Sequence, residues 1–172
     1  MKYGKLTYLG KYAPMAKYLG LEGKSDASKI LDISGMVGLL RHENLENGNK
    51  EEWKRLFRKR GAEDILKSGV SYGCTDDAVV FVALARSCGI PAKYVTGKRV
   101  CRMGGHNWAE VWIDGRWIDV EPQNGKLDYD YVRDKSGPYC VLSRSLDPAD
   151  SVMTSYEDWL EVERHFRGLL RV

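Results

Sequence analysis

Residues 78–85 constrain the fold most strongly, because every one of them is apolar. A helix that is apolar on all sides has to be enclosed by the rest of the protein. Gly89, two residues ahead of a proline, is typical of a helix end. The sequence therefore predicts a central helix that begins near Cys74, with acidic residues in its first turn, where the helix dipole favours them.

After this helix the apolar period changes to two residues, which indicates strands. Predicted strands cover residues 93–96, 108–113 and 116–120, and residues 139–142 are a further candidate. The Asp-Gly pair at 114–115 is a strong signal for a two-residue hairpin loop. These segments predict an antiparallel sheet that packs against the central helix.

Further helices are predicted at 25–41, around Trp53, at 62–67 and at 156–170, with a polar loop at 43–49. Residues 1–24 are rich in Lys, Tyr and Gly and are expected to form an N-terminal arm. Helices first and strands later favour an α+β fold, here a single domain over residues 1–172. In this arrangement the N-terminal helices and the central helix pack on an antiparallel sheet, and a C-terminal helix completes the domain.

The basic residues around the second helix are Lys54, Arg55, Arg58, Lys59 and Arg60. Such a group could contact a polyanion, but a solvated helix face is the more common arrangement. The net charge of +3 is too small to argue for nucleic acid. We expect no nucleic-acid partner.

The composition, 43% hydrophobic and 30% charged over 172 residues, is that of an ordinary globular protein. The cysteines Cys74, Cys88, Cys101 and Cys140 are scattered and form no CxxC pair, which favours reduced thiols over a disulfide framework. The sequence contains neither a signal-peptide pattern at its start nor an apolar run long enough for a membrane helix. We expect a cytoplasmic protein with no membrane contact.

Cys74 is a candidate nucleophile because of its position on the central helix. The N–H groups of a helix start lack partners, and the dipole there stabilises a thiolate and an oxyanion. The alternative is that Cys74 is a packing residue, which is the interpretation we favour for Cys88 at the far end of the helix.

His106 is a candidate base, and the hairpin predicts its partner. Pairing across the two-residue loop places Glu110 opposite Asp119, and further along it places His106 opposite Gln123. Glu121 is then the diagonal neighbour of His106, within reach of its side chain, whereas Asp119 is too far along the strand. Glu121 is the favoured orienting carboxylate, and Gln123 is the fallback.

Other aromatic and imidazole side chains have simpler interpretations. Trp108, Trp112 and Trp117 share the face of His106 and either line a cleft or fill the core; the core is favoured for the last two. His42 and His165 are expected at the surface.

Several motifs in chain order resemble the core of the transglutaminase-like superfamily over roughly residues 60–123. They are AEDILKSG at 62–69, Gly73-Cys74, Gly89-Ile90-Pro91-Ala92, HNWAEV at 106–111, Asp114-Gly115-Arg116-Trp117 and Glu121-Pro122.

The resemblance implies a papain-like catalytic triad of Cys74, His106 and Glu121. The third member of the family's triad is normally aspartate, four residues after the tryptophan, so Glu121 departs from that pattern by one methylene. Asp119 is a lesser candidate because its side chain is of the usual type. Cys74 N–H would be one oxyanion donor, and Tyr72 is a candidate for the second.

The implied activity is thiol-dependent acyl transfer on a peptide or side-chain amide through a thioester. Hydrolysis is favoured over crosslinking to an amine acceptor, and the expected partners are protein or peptide substrates. Zinc-binding cysteine pairs of deglycosylating relatives are absent from the sequence, and the calcium sites of large animal transglutaminases would need further domains. We expect no cofactor.

Two alternatives come from other classes of protein. The first is a non-catalytic module that keeps this fold to bind a protein or peptide, although all three triad positions hold chemically competent side chains. The second is a metal site made of Cys74, Cys101 and His106. Their spacing lacks the paired pattern of zinc ligands, so this alternative is disfavoured.

Overall fold

The computed structural model describes residues 17, 19–100, 103–133 and 137–169, so most of the predicted N-terminal arm (1–24) lies outside the described residues. In chain order the helices are α1 (Asp26–Gly38), α2 (Leu45–Gly48), α3 (Lys50–Leu56), α4 (Ala62–Ser68), α5 (Cys74–Ser87) and α6 (Tyr156–Leu169). The strands are β1 (Arg41–His42), β2 (Val70–Ser71), β3 (Ala92–Arg99), β4 (Gly105–Ile113), β5 (Arg116–Glu121), β6 (Lys126–Leu127) and β7 (Tyr139–Ser145).

The main sheet has the strand order β6-β5-β4-β3-β7, and all of its neighbouring strands are antiparallel. Strands β1 and β2 form a separate short parallel pair beside the start of α5. Neither β6 nor this parallel pair was predicted, because two-residue strands leave no periodic pattern in a sequence. The α+β prediction, with a helix-packed antiparallel sheet, is confirmed.

Helix α5 is enclosed on nearly every side, as its apolar sequence predicts. From Asp76 to Ser87 every residue except the half-buried Ala83 is buried. The helix packs between α1 and α4 on one side and the sheet on the other. The buried contacts of this core include Ile30, Ile33, Val37, Ile65, Ala109, Val111, Ile118 and Val120. Enclosure on this scale fixes where the first residue of the helix lies relative to the sheet.

The β4–β5 hairpin has the predicted register. Asp114 and Gly115 both have positive φ, 50° and 79°, as a two-residue type I′ loop requires. Glu110 pairs with Asp119, and Ala109 pairs with Val120. Alternate residues of the hairpin therefore point toward α5, and those between them point to the opposite face of the sheet.

The opposite face of the sheet carries a second, smaller core. Trp108 is fully buried there with Val95, Tyr131 and Tyr139. The prediction that Trp112 and Trp117 fill the core is wrong. Trp112 is 41% exposed and Trp117 is half-buried, because no helix among the described residues covers this face at the hairpin end.

Two further predictions about the N-terminal half need correction. The polar loop at 43–49 contains the short helix α2. The basic residues do not form one solvated face, because α3 ends at Leu56 and the chain then turns inward. Arg58 is only 3% exposed, and Arg60 forms an ion pair with the buried Asp76.

Gly97 on β3 is required by the close approach of Trp108. A Cβ atom at position 97 would lie 2.5 Å from the indole ring, a distance that real contacts do not allow. Gly97 also pairs directly with His106 across the sheet, so the space it leaves is next to the candidate site.

We expect Gly97→Ala to lower the free energy of unfolding by about 1–3 kcal/mol, as overpacking does. The control is Gly35→Ala on α1, where a Cβ meets no atom within 4 Å. Removing a helical glycine there should stabilise the protein by about 0.5–1 kcal/mol. Urea unfolding measures both changes. Equal stability of the two variants would contradict the assigned packing of Trp108.

Candidate active site

Cys74 is the first residue of α5, and local backbone geometry fixes it there. The preceding Gly73 has φ 125°, a conformation that favours glycine, and its N–H donates to Ser71 Oγ at 3.1 Å. Cys74 is half-buried and lines a groove of the protein. It lies where unpaired N–H groups and the helix dipole stabilise negative charge.

His106 lies between Cys74 and Glu121. Its Nε2 atom is 2.6 Å from Glu121 Oε2, and its side chain is also a hydrogen-bond partner of the Cys74 thiol. Because Nε2 is paired with Glu121, Nδ1 is the ring nitrogen left available for the thiol. The diagonal relation predicted from the hairpin register accounts for the contact with Glu121.

The carboxylate of Glu121 is held by further donors. Tyr131 donates its hydroxyl to Oε2 at 2.7 Å, and the backbone N–H of Gln123 is 3.4 Å from Oε1. Burial raises the pKa of Glu121, but the hydrogen bond and charge of His106, with these donors, hold it below its ordinary value. Glu121 is therefore ionised at neutral pH.

The thiol and the imidazole shift each other's pKa in opposite directions. Burial raises the pKa of Cys74, but the hydrogen bond and charge of His106 outweigh it, and the net pKa lies below the ordinary value. Burial lowers the pKa of His106, whereas Cys74 and Glu121 raise it to about 11. Both directions favour a thiolate–imidazolium pair.

The two rival partners of His106 contact other groups. Asp119 Oδ1 accepts the indole N–H of Trp108 at 2.7 Å, and burial raises the pKa of Asp119 to about 6. Gln123 donates its side-chain amide to Asp77 at 2.7 Å. Glu121 is thus the carboxylate in contact with the imidazole.

Aromatic rings enclose the imidazole of His106. The ring centroids of Trp108, Tyr131 and Tyr139 lie 6.1, 5.6 and 5.9 Å from that of His106. Tyr131 was missed in the sequence, because it comes from an irregular segment after β6 that has no periodic signal. These rings restrict the orientation of the imidazole and exclude water from one side of it.

The sequence also failed to indicate Asn107 as a neighbour of the sulfur. Its Nδ2 atom is 3.7 Å from Cys74 Sγ and 2.9 Å from Thr75 Oγ1. The alternation of β4 places Asn107 on the α5 face, opposite to Trp108. Only the known position of the helix start identifies this residue as part of the site.

A groove of about 640 Å³ opens beside the sulfur. Cys74 lines this groove together with Thr75 and Asn107, whereas His106 and Glu121 are not among its lining residues. The apolar residues of its lining are Trp53, Leu56, Phe57, Met103, Met153 and Trp159. Polar residues of the lining include His42, Glu43, Asn44 and Asp76.

The other sequence candidates have defined surroundings. Tyr72 lines the groove, and its backbone N–H donates to Asp76 at 2.9 Å, which leaves its hydroxyl as the group for the predicted oxyanion role. His42 and His165 are exposed, as predicted, and His42 contacts the buried Asp77 at 3.2 Å. Cys88 is buried at the far end of α5, as predicted.

Cys101, part of the alternative metal site, lies outside the described residues. Within the described residues, no three His, Cys, Asp or Glu side chains are grouped so that they could hold a metal ion. No helix in the described ranges is long and apolar enough to cross a bilayer.

The family model of the transglutaminase-like superfamily matches residues 24–122, more than half of the chain. The chain belongs to this superfamily, which confirms the resemblance seen in the motifs. A comparison with curated proteins finds no match.

A solved structure shares the fold, and another shows a weaker similarity. A protein from Cytophaga hutchinsonii described as a "putative cysteine protease" superposes with a TM-score of 0.59 at 21% identity, over 87% of this chain and 46% of that one. A structure described as a TGase gives a TM-score of 0.47 at 17% identity, over 69% of this chain and 31% of that one. The chain thus spans less than half the length of either neighbour.

We expect iodoacetamide at neutral pH to label Cys74 much faster than Cys88. The thiolate is the reactive form, and the pKa of Cys74 is lowered whereas burial raises that of Cys88. The rate at Cys74 should also persist as the pH falls below about 8.5, the ordinary thiol value. Peptide mapping by mass spectrometry measures both sites in one sample. Equal labelling would mean that Cys74 is an ordinary thiol.

Proposed function

We propose that this protein is a cysteine-dependent enzyme that transfers the acyl group of an amide through Cys74, His106 and Glu121, with water as the usual acceptor. The observation that supports it most directly is the hydrogen-bonded series Cys74–His106–Glu121 with its sulfur at the wall of an open groove. A thiol, a base and a group that orients the base are the components of an activated nucleophile.

In the first half-reaction the Cys74 thiolate attacks the amide carbon and a C–S bond forms. The carbonyl electron pair moves to oxygen, and the N–H groups at the start of α5 stabilise the oxyanion, with that of Cys74 as one donor. When the intermediate collapses, the C–N bond breaks and His106 gives its proton to the leaving nitrogen. An amine or ammonia leaves, and a thioester remains on Cys74.

In the second half-reaction neutral His106 takes a proton from the incoming acceptor. With water, its oxygen forms a C–O bond to the thioester carbon, the C–S bond then breaks, a carboxylic acid is released, and the thiolate–imidazolium pair forms again. Glu121 stays ionised throughout and stabilises the charged imidazole. An amine acceptor would follow the same steps and give transamidation.

The groove supports a peptide or protein substrate and favours hydrolysis. The apolar residues of its lining suit the apolar side chains of a peptide chain, and the polar residues of the lining suit its amide groups. The groove is open, so water reaches the thioester without a second binding event. A lysine or polyamine acceptor would need a subsite of its own.

The direct test is Cys74→Ala, which should abolish amide turnover and leave the thermal midpoint near that of the wild type. The control is Cys88→Ala, which removes the other thiol of α5 and should keep turnover. The assay uses a library of glutamine-containing peptides and small amides, with the thioester adduct on Cys74 identified by mass spectrometry. No adduct and no turnover with any substrate would favour the non-catalytic binding module.

We expect Glu121→Gln to reduce turnover on the order of 10²-fold or more, because the imidazolium loses its counter-charge. Asp119→Asn is the matched control: it removes a carboxylate from the same strand, and an asparagine oxygen can still accept from Trp108. Its turnover should stay within about threefold of the wild type, as expected for a group outside the reacting chain. The reverse order would show that Asp119 orients the imidazole.

A further inference from the structure

Arg58 is buried beside the candidate site, in a position that nothing in its sequence context indicates. It lies directly after the end of α3 and has φ 54°, the left-handed region that few residues other than glycine adopt. Only 3% of it is exposed, although the residue borders the groove that contains Cys74. Such a conformation persists only where the surroundings hold it.

The guanidinium of Arg58 donates to neutral oxygens. They are Met153 O at 2.5 Å, Ser151 Oγ at 3.3 Å, Thr96 Oγ1 at 3.5 Å and Asn107 Oδ1 at 2.7 Å. Its Nε is buried without a hydrogen-bond partner, and in the described part of the chain no carboxylate pairs with it. A buried cation without a counter-charge is costly, so another negative group is expected near it.

The hydrogen bonds of Arg58 lead to the Cys74 sulfur through Asn107. Because a guanidinium can only donate, it fixes which end of the Asn107 amide faces it, and Thr96 adds a second donor to the same oxygen at 3.1 Å. The NH₂ end must then point the other way. It lies 2.9 Å from Thr75 Oγ1 and 3.7 Å from Cys74 Sγ.

We propose that Arg58 is a positioning residue that locks the amide of Asn107 with its N–H toward Cys74, so that this amide stabilises the thiolate. The inference rests on the proposed function where it concerns catalysis, but the protonation of the Cys74 thiol can be measured without any substrate. The positive charge of Arg58 also polarises the amide and makes it a stronger donor to sulfur.

Other groups around Cys74 also affect the protonation of its thiol. After burial and His106, the hydrogen bonds from Asn107 lower the pKa of Cys74 further. In the described residues, the charged and titratable neighbours of this thiol include His106 from β4, Tyr94 from β3 and Asp76 from the first turn of α5, the last paired with Arg60. Burial raises the pKa of Tyr94 to about 12, so that ring stays neutral and supplies no counter-charge.

The test is the pH dependence of Cys74 alkylation in a double-mutant cycle of Arg58→Met and Asn107→Ala. We expect Arg58→Met to raise the midpoint of the pH–rate curve by about one pKa unit, which slows alkylation about tenfold at pH values below the wild-type midpoint. In the Asn107→Ala background, Arg58→Met should have little further effect, because the amide that transmits it is gone. Arg55→Met, an exposed residue with the same loss of charge, is the control and should stay within about twofold of the wild type.

Two results would overturn the inference. The first is a folded Arg58→Met protein whose alkylation midpoint is unchanged. The second is an equal midpoint shift with and without Asn107, which would mean that the charge of Arg58 acts on the thiol directly. If circular dichroism shows that Arg58→Met does not fold, Arg58→Lys replaces it. Lysine keeps the charge but loses the forked donor set of arginine. We expect alkylation of Cys74 to be roughly threefold slower in Arg58→Lys. An unchanged alkylation midpoint in this variant overturns the proposal. A shifted midpoint without amide turnover would contradict the proposed function alone.

Discussion

The enclosure of α5 is the constraint on which the rest of the structure depends. A helix buried on nearly all sides cannot shift along its axis without breaking contacts with α1, α4 and the sheet. Its first residue is therefore held at a fixed point beside the start of β4, where His106 lies. The hydrophobic core thus sets the distance between sulfur and imidazole, and the polar groups around them refine it.

The two faces of the sheet carry different residues of the candidate site. One face packs on α5 and brings Asn107 to the helix start. The other face holds His106 within a set of aromatic rings and presents Glu121 from the neighbouring strand. As a result, Cys74 is half-buried, the imidazole of His106 is enclosed, and the carboxylate of Glu121 is held by hydrogen bonds. This arrangement shifts the pKa values of Cys74 and His106 in opposite directions.

Periodic patterns in the sequence predicted the parts of the candidate site that depend on a single helix or a single hairpin. The apolar run at 78–85 indicated the central helix, and the Asp-Gly loop fixed the register that makes Glu121 the diagonal neighbour of His106. Arg58 could not be predicted, because its burial depends on Ser151 and Met153, almost a hundred residues further along the chain. Trp112 was misassigned for a related reason, since nothing in an alternating strand tells which face a helix will cover.

The most direct measurement of the central claim is the protonation state of the His106 ring, observed by ¹⁵N nuclear magnetic resonance in the resting protein. A thiolate–imidazolium pair predicts that both ring nitrogens carry protons at neutral pH, and that Cys74→Ala makes the imidazolium lose its proton at a lower pH than in the wild type. A neutral ring with one proton at neutral pH, unaffected by Cys74→Ala, would contradict the pair and with it the activated thiol.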